Sequence, residues 1–296
     1  MKLLYYPGCT LKTSAKNLEK SAFCVIEALG HEIEEMEDWN CCGVVSSLTD
    51  DDLMHHLAPL RNLIHAEDLG EDKIITLCDM CYNTLKQTNL RVKEKPDDLE
   101  TLNMFMDREN DYKGTVKVLH LLEFLRDEVG FAALKKMVKN PLKGMKIMPY
   151  YGCMLLRPRE VAIDDAEEPT IMKDLLTALG AEVIDNPFKI ECCGSYHTIE
   201  DKKLVSDRAY RITKFAVERG SDAIVLSCPL CRFNLDVRGK EGEKMYNNYK
   251  QIPVYYYTQL IAVALGLDPK YCDFGDHAVD PVLLLKKKGV FEKKED

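Results

Sequence analysis

The chain has 296 residues, a length typical of two domains that each bury a core. Hydrophobic residues make up 46% and charged residues 30%, a composition that argues against disorder, collagen and coiled coil. The 40 Lys and Arg and the 49 Asp and Glu give a net charge of −9, which disfavours nucleic acid as a partner.

Strand and helix patterns alternate along the first half of the chain. Apolar runs predict buried strands, and apolar residues spaced three to four apart predict helices. The expected elements are a strand at 2–6, a helix from about Ser14 to Gly30, a strand at 32–36, a helix at about 51–69 and a strand at 73–77. The second half repeats the pattern, with strands expected near 145–150, 182–185 and 223–227. This alternation favours α/β domains with mainly parallel sheets.

Two charged stretches fall outside that pattern. Residues 91–114 are longer than their counterpart at 238–251, and we expect an exposed insertion there. The carboxyl-terminal sequence LLLKKKGVFEKKED joins a short apolar run to Lys286–Lys288. We interpret it first as a solvated terminus and second as a docking element for a partner.

The cellular compartment follows from the apolar segments and the cysteines. The first residues, MKLLYYPGCTLK, lack the apolar stretch of a signal peptide, and no later run approaches the roughly 20 apolar residues that span a bilayer. We therefore expect a cytoplasmic protein with no membrane span. Its 12 cysteines exceed what packing requires, and disulfides seldom persist in that compartment. Metal ligation is the leading interpretation.

Ten of the cysteines form one pattern that occurs twice. A single Cys and a CCG sequence are separated by 31 or 38 residues, and the CCG cysteines and a CxxC motif by 35 or 34. The first copy consists of Cys9, Cys41, Cys42, Cys78 and Cys81, and the second of Cys153, Cys192, Cys193, Cys228 and Cys231. Cys24 and Cys272 lie outside both copies, and we interpret them as buried structural residues.

The surrounding sequences repeat as well. MKLLYYPGC (1–9) matches MKIMPYYGC (145–153), and IITLCDMCYNTL (74–85) matches IVLSCPLCRFNL (224–235). An internal duplication follows, with a first domain at 1–143 and a second domain with the tail at 144–296. On this interpretation the five thiolates of each copy gather at the carboxyl edge of a parallel sheet.

Three chemistries compete for five thiolates at this spacing. Structural zinc takes four ligands, and neighbours such as Cys41 and Cys42 reach a single ion only with difficulty. A cubane cluster also takes four thiolates, usually from runs such as C-x₂-C-x₂-C, which do not occur here. Five thiolates suit a larger or irregular iron–sulfur cluster. This is the favoured interpretation, with zinc in at least one half and thiol–disulfide chemistry left open.

The twofold pattern resembles the cysteine-rich CCG domain family, in particular the B subunit of heterodisulfide reductase from methanogenic archaea. The resemblance extends from Met1 to about Leu267 and implies two duplicated Rossmann-like CCG domains. It further implies that each five-cysteine copy holds a non-cubane [4Fe-4S] cluster. The implied activity is reduction of the mixed disulfide of coenzyme M and coenzyme B to two thiols.

Two clusters suit a disulfide because its reduction takes two electrons, whereas an iron–sulfur cluster ordinarily transfers one. The sequence next to the motifs supplies candidates for protons and anion contacts. His197, beside Cys192-Cys193-Gly194, is a candidate acid or substrate contact, and Tyr196 is its neighbour. Candidate contacts to the anionic groups of the coenzymes are Arg157, Arg159 and Arg232. A structural histidine and surface charge are the alternatives.

Electrons are expected to come from other proteins. The chain has neither GxGxxG nor GxxxxGK[ST], so we expect it to bind no flavin or nicotinamide of its own. The resemblance implies a ferredoxin-like C subunit, an A subunit with flavin and iron–sulfur clusters, and beyond them a hydrogenase or formate dehydrogenase.

Two rival functions stay open. The chain could be the electron-transfer CCG subunit of a complex that oxidises an organic acid such as glycolate, lactate or succinate. The ferredoxin module fused in several of those relatives is missing here, and both motif copies are complete. The second rival is a non-enzymatic scaffold with structural zinc.

Overall fold

The computed structural model describes residues 1–44, 52–247 and 249–290. Each half of the chain contributes four strands. They are β1 Lys2–Tyr5, β2 Glu32–Glu35, β3 Lys73–Thr76, β4 Lys117–His120, β5 Lys146–Pro149, β6 Glu182–Val183, β7 Ala223–Leu226 and β8 Val254–Tyr256.

Helices connect the strands in both halves. In the first half they are α1 Gly8–Thr13, α2 Lys16–Ala28, α3 Leu57–Asp68, α4 Asp79–Glu94, α5 Pro96–Met104, α6 Leu121–Phe124 and α7 Phe131–Met137. In the second half they are α8 Ile171–Ala178, α9 Lys202–Glu218, α10 Pro229–Arg232, α11 Gly239–Gly242, α12 Tyr257–Ala264 and α13 Val282–Lys287. Single 3₁₀ turns include Met54–His56, Arg159–Val161 and Ser195–His197.

The two halves have the same sheet topology. The strand order is β2-β1-β3-β4 in one sheet and β6-β5-β7-β8 in the other, and every pairing is parallel. The predicted α/β fold of two repeats with parallel sheets is therefore confirmed. The predicted domain boundary after residue 143 falls in the connection between α7 and β5.

The central strands are covered on both faces. Leu3, Leu4 and Tyr5 of β1 are buried in succession, as are all four residues of β7. Successive strand residues point to opposite faces, so a run of buried residues requires packing on both sides of the sheet. This is why these strands are read from the sequence as continuous apolar runs.

The observed helix boundaries agree with those predicted from the sequence, except around α1 and α3. Helix α2 ends at Ala28, and Gly30, with φ of 81°, turns the chain towards β2. Helix α1 was not predicted, because six residues with two buried positions show no apolar periodicity. Residue 51, the predicted start of the next helix, lies outside the described residues. The 3₁₀ turn Met54–His56 leads directly into α3.

The expectation of an exposed insertion at 91–114 is wrong for four of its apolar residues, whereas Met104 and Phe105 are exposed. Helix α4 continues to Glu94 and α5 follows after one residue, so much of the stretch is helical. Val92, Leu102, Met106 and Tyr112 are buried, and the Tyr112 hydroxyl donates to Asn89 Oδ1 at 2.9 Å. The charged side chains dominate the composition, whereas four apolar ones fix the segment to the core.

The carboxyl-terminal tail packs on its own chain as far as residue 290. Leu285 of α13 is fully buried, and Lys288 Nζ forms an ion pair with Asp222 at 2.6 Å. Residues 291–296 lie outside the described residues. The described part of the tail is therefore not a wholly solvated terminus, and its role as a docking element for a partner stays a prediction.

The halves contact each other through α2 and α12. Ser21 Oγ and Thr258 Oγ1 lie 2.7 Å apart in a buried hydrogen bond. His277 Nε2 lies 3.0 Å from the Gln259 amide and 3.5 Å from the Asn17 amide of the first half. In the ranges that the structure covers, no helix has the length and apolarity that a membrane crossing requires.

We predict that His277 makes the protein sensitive to acid. Burial lowers its pKa to about 3, compared with about 6.5 in an unfolded chain. Between these two pH values the unfolded state binds a proton on His277 that the folded state does not bind. The free energy of unfolding therefore falls as the pH drops below about 6.5, by up to about 1.4 kcal/mol per pH unit. The free energy of unfolding, measured anaerobically in urea at pH 7, 6 and 5, should fall less steeply with pH in His277→Gln than in the unchanged protein. Equal slopes for the two proteins would contradict this account.

Candidate metal centres

The five predicted ligands of the first half come together in space, and we call them the first thiol group. Cys9 Sγ lies 3.7 Å from Cys41 Sγ, and sulfur–sulfur hydrogen bonds extend the series. The order of contacts is Cys9, Cys41, Cys42, Cys81 and Cys78. Residues from three separate segments thus meet at one place.

The second thiol group comprises the five predicted ligands of the second half. The order of its contacts is Cys153, Cys192, Cys193, Cys231 and Cys228. Each position corresponds to its counterpart in the first group. The duplication of the sequence is therefore also a duplication of the site.

The parallel sheets explain why distant cysteines meet. Cys9 lies in α1, directly after β1, and the CCG sequence follows β2. Cys78 is the residue directly before α4 and follows β3, and Cys228 is the residue directly before α10 and follows β7. Because the carboxyl ends of parallel strands share one edge, all these segments deliver their sulfurs to that edge.

Hydrogen bonds within each group favour a thiolate. Two neighbouring thiols lower the pKa of Cys42 to about 4. Two neighbours likewise lower the pKa of Cys192 to about 2. In each group the hydrogen bonds thus favour one thiolate within the CCG pair. Thiolate is the form of cysteine that binds metal.

Two glycines leave room for the sulfurs, a role that the sequence analysis missed. Gly8 and Gly152 directly precede Cys9 and Cys153, with φ of 69° and 66°. A Cβ on Gly8 would lie 2.7 Å from Cys81 Sγ, and one on Gly152 would lie 3.2 Å from Cys231 Sγ. Both positive φ and close approach of a sulfur require glycine here.

Two tyrosines at matching positions hold the CCG segments. The Tyr6 hydroxyl donates to the carbonyl of Asn40, directly before Cys41, at 2.7 Å. The Tyr150 hydroxyl donates to the carbonyl of Glu191, directly before Cys192, at 2.5 Å. Burial, followed by the neighbouring sulfurs, raises the pKa of both tyrosines. Their shared place in the two matching nonapeptides was the signal that could have identified them.

Side chains at another matching pair of positions contact the CCG sulfurs. Thr84, three residues after Cys81, hydrogen-bonds Cys42 and helps to lower its pKa. Asn234, three residues after Cys231, donates to Cys193 Sγ at 3.4 Å. Hydrogen bonds to sulfur stabilise thiolate and tune a bound cluster.

The donor set fits an iron–sulfur cluster. The sulfurs contact one another in series, and within residues 1–44, 52–247 and 249–290 no three Cys, His, Asp or Glu side chains are arranged to hold a single metal ion. A cluster presents several irons, and a series of five neighbouring sulfurs can supply thiolate ligands to all of them.

The two thiol groups lie next to each other. The Ser227 hydroxyl, directly before Cys228, donates to Asp79 Oδ2, directly after Cys78, at 3.0 Å. A hydrogen bond with Cys231 lowers the pKa of Cys228, but burial, Asp79 and the nearby Cys78 raise it, and the net change is upward. Tyr256 lies beside both of these cysteines and is fully buried.

The candidate substrate contacts have different settings. Arg157 and Arg159 are exposed and follow Cys153, and Arg157 forms an ion pair with Glu167 at 3.0 Å. The carbonyl of Arg157 accepts a hydrogen bond from Asn83 of α4 at 2.6 Å, so this loop lies against the first half.

Arg232 is buried instead. It forms an ion pair with Asp236 at 3.4 Å and donates to the carbonyl of Asp276. His197 and Tyr196 are exposed on the 3₁₀ turn that follows the second CCG sequence. The corresponding segment of the first half, including Ser46, lies outside the described residues.

The two remaining cysteines lie away from both thiol groups. Cys272 is fully buried and its thiol faces the carbonyl of Gln259 at 3.8 Å, as expected of a structural residue. Cys24 on α2 is only partly buried, so its packing is looser than predicted. Burial raises the pKa of both thiols, which disfavours the reactive thiolate.

A family model for the cysteine-rich CCG domain matches residues 3–86 and 147–236. The chain belongs to this family. Each match ends shortly after a CxxC motif, so each CCG domain contains one complete thiol group.

Curated relatives match nearly the whole chain. The B subunit of the ferredoxin/F(420)H(2)-dependent CoB-CoM heterodisulfide reductase of Methanosarcina acetivorans is 30% identical over 97% of this chain and 96% of its own length. The 8-methylmenaquinol:fumarate reductase membrane anchor subunit of Wolinella succinogenes is 29% identical over 95% and 98%. An uncharacterized iron–sulfur protein of Methanocaldococcus jannaschii is 24% identical over 88% and 46%. These relatives and the CCG match support an iron–sulfur redox subunit.

A solved structure shares the fold. A hypothetical protein from Helicobacter pylori superposes with a TM-score of 0.74 at 11% identity, over 94% of this chain and 51% of that one. At this identity the likeness concerns the fold alone.

We predict that Gly8→Ala prevents metal binding in the first CCG domain only. Its Cβ would displace Cys81 Sγ, whereas the second thiol group keeps its own glycine. Iron and acid-labile sulfide analysis of anaerobically purified protein should show loss from one site. Gly30→Ala is the matched control, since its φ is also positive, at 81°, but nothing lies within 4 Å of the added Cβ. Full iron content in Gly8→Ala would refute the role of this close approach.

Proposed function

We propose that this chain is the disulfide-reducing subunit of a heterodisulfide reductase. Each thiol group would hold a non-cubane [4Fe-4S] cluster, and the substrate would be the mixed disulfide of coenzyme M and coenzyme B. The observation that carries the proposal is the contact between the two CxxC motifs, where Ser227 donates to Asp79. It brings two complete sites within reach of one small substrate. The similarity to the Methanosarcina protein supports this choice of disulfide.

The ten cysteines would be the ligands of the two clusters. When bound, each cluster supplies one of the two electrons that reduction of a disulfide requires. The chain's own residues hold the ligands in place, through the two glycines before Cys9 and Cys153 and the hydroxyls of Tyr6 and Tyr150. Aromatic and apolar residues around the CxxC motifs, such as Tyr82 and Tyr256, are buried, and they would keep water away from the clusters.

Arg157 and Arg159 are the proposed contacts for the anionic groups of the substrate. They are exposed, they follow the ligand Cys153, and their loop is hydrogen-bonded to α4 of the first half. A substrate between the halves would therefore meet them. His197 is the proposed proton donor beside the second CCG sequence. Arg232 is engaged by Asp236 and Asp276, and its role as a substrate contact stays a prediction.

The proposed partners deliver electrons. They are the ferredoxin-like C subunit and the flavin-containing A subunit of such a reductase, with a hydrogenase or formate dehydrogenase beyond them. The names of the curated relatives, which are subunits of larger enzymes, support a role within a complex.

A second candidate function is supported by the Wolinella protein. At 29% identity over 98% of its length, it is nearly as similar as the Methanosarcina protein, and it belongs to an enzyme that reduces fumarate with a quinol. In such a complex this chain would pass electrons onward to a neighbouring protein and would bind no disulfide. It differs from the organic-acid alternative of the sequence analysis, in which the complex oxidises an acid such as glycolate, lactate or succinate.

We predict that the anaerobically purified chain contains about eight irons and about eight acid-labile sulfides, because each thiol group fits a four-iron cluster. Reduced by a low-potential one-electron dye, it should convert the heterodisulfide to two thiols, and NADH should not replace the dye. Iron without disulfide turnover, together with oxidation of the reduced chain by its fumarate-reducing partner, would favour the second candidate. Zinc without sulfide would exclude both.

A further prediction concerns the two sites together. If each site supplies one electron to the same bond, Cys81→Ser and Cys231→Ser should each abolish disulfide reduction while the other site keeps its iron. Iron analysis, paramagnetic resonance and turnover with the reduced dye measure these effects. The same substitution at Cys24 or Cys272 is the control and should leave iron content unchanged. Turnover retained in either ligand variant would indicate a single substrate site with the other acting as a relay.

A further inference from the structure

The hydrogen bond between Ser227 and Asp79 is the direct polar link between the two CxxC motifs. It joins residues 148 positions apart, at 3.0 Å, with both side chains buried. Ser227 directly precedes Cys228, and Asp79 directly follows Cys78. Any movement of this pair therefore moves a proposed ligand of each site.

The setting of Asp79 restricts its partners. His120 Nδ1 accepts the backbone N–H of Leu122, so the ring carries its proton on Nε2. That nitrogen lies 3.3 Å from Asp79 Oδ1 and 3.2 Å from the carbonyl of Leu77. The buried ring of Tyr257 is the next neighbour. The carboxyl group is thus held between a histidine of its own half and a serine of the other.

The CxxC motif occurs in both halves, but the hydrogen bond between Ser227 and Asp79 has no counterpart at the corresponding positions. In the matching sequences, Leu77 corresponds to Ser227 and Pro229 corresponds to Asp79. Leucine and proline side chains form no hydrogen bond, so the symmetry-related link is impossible. The two halves differ where the CxxC motifs meet, and the difference places a polar pair between the motifs.

We propose that Asp79 and Ser227 are positioning residues that set the separation and register of the two thiol groups. The hydrogen bonds of Ser21 with Thr258 and of Asn83 with the carbonyl of Arg157 also join the halves, but Asp79 and Ser227 are the pair that directly adjoins a CxxC cysteine of each half. A buried hydrogen bond fixes distance and direction together, and a buried donor or acceptor that loses its partner is strongly disfavoured. The proposal rests on the proposed function in assuming that both sites hold clusters that act together.

The first test measures magnetic interaction between the two clusters, which depends steeply on their separation and orientation. Ser227→Ala removes the hydroxyl and should change the interaction seen by paramagnetic resonance in the reduced protein, with the iron content of both sites retained. It should also lower kcat for the disulfide at least tenfold with little change in KM. Asp79→Asn keeps an oxygen acceptor and should preserve the interaction.

The matched control is Ser221→Ala. Ser221 lies near the amino end of β7, whereas Ser227 follows its carboxyl end, and it is also buried, with its hydroxyl donating to Ala223 O at 2.8 Å. Its removal should leave the magnetic interaction unchanged. An unchanged interaction in iron-replete Ser227→Ala would overturn the positioning role and leave the proposed function intact.

A second test is independent of the clusters' activity. Urea unfolding of the full chain as purified is compared for Ser227→Ala, Asp79→Ala and the double variant. Each single change should raise the unfolding constant roughly tenfold, and the double change little further, because both remove the same bond. Additive effects would show that the two side chains do not act as a pair. Failure of the proposed function would appear separately, as disulfide turnover absent from the iron-replete wild-type protein.

Discussion

The structure depends on the shared carboxyl edge of parallel strands. Five cysteines that are separated by up to 35 or 38 residues meet because β1, β2 and β3, and likewise β5, β6 and β7, end at one edge of their sheet. An antiparallel arrangement would send alternate segments to the opposite edge and separate the sulfurs. Everything else at the site refines this placement: the glycines admit the sulfurs, the tyrosines hold the CCG segments, and hydrogen bonds favour a thiolate.

The chain has two similar thiol groups because its sequence is duplicated. The hydrogen bond between their CxxC motifs exists because the two copies have since come to differ in sequence. The glycine, tyrosine and cysteine positions correspond in the two halves, so each half forms a complete thiol group. The residues that meet between the two CxxC motifs differ, as the hydrogen bond between Asp79 and Ser227 illustrates. A symmetric dimer of one CCG domain would present the same residues twice. Because the two CCG domains are parts of one chain, they can differ, and one carries the carboxyl group of Asp79 while the other carries the hydroxyl of Ser227.

The core extends through the elements that surround the sites. The segment at 91–114 was expected to be exposed because its composition is charged, yet Leu102 and Tyr112 are buried and fasten it to α4 and its neighbours. The tail packs through Leu285 in the same way. In both cases a few apolar side chains determine burial, whereas composition averages them with many charged residues.

The sequence by itself determined the α/β class, the duplication, the positions of six strands and the ten candidate ligands, because apolar runs and cysteine spacing are local and repeat. It did not reveal that Gly8 contacts Cys81, that Tyr6 holds the CCG segment or that Arg232 is buried against Asp236. These contacts join residues far apart in the chain, and their distances depend on how strands and helices pack. The meeting of Ser227 with Asp79 was likewise decided by tertiary structure, since it depends on how one folded half rests against the other.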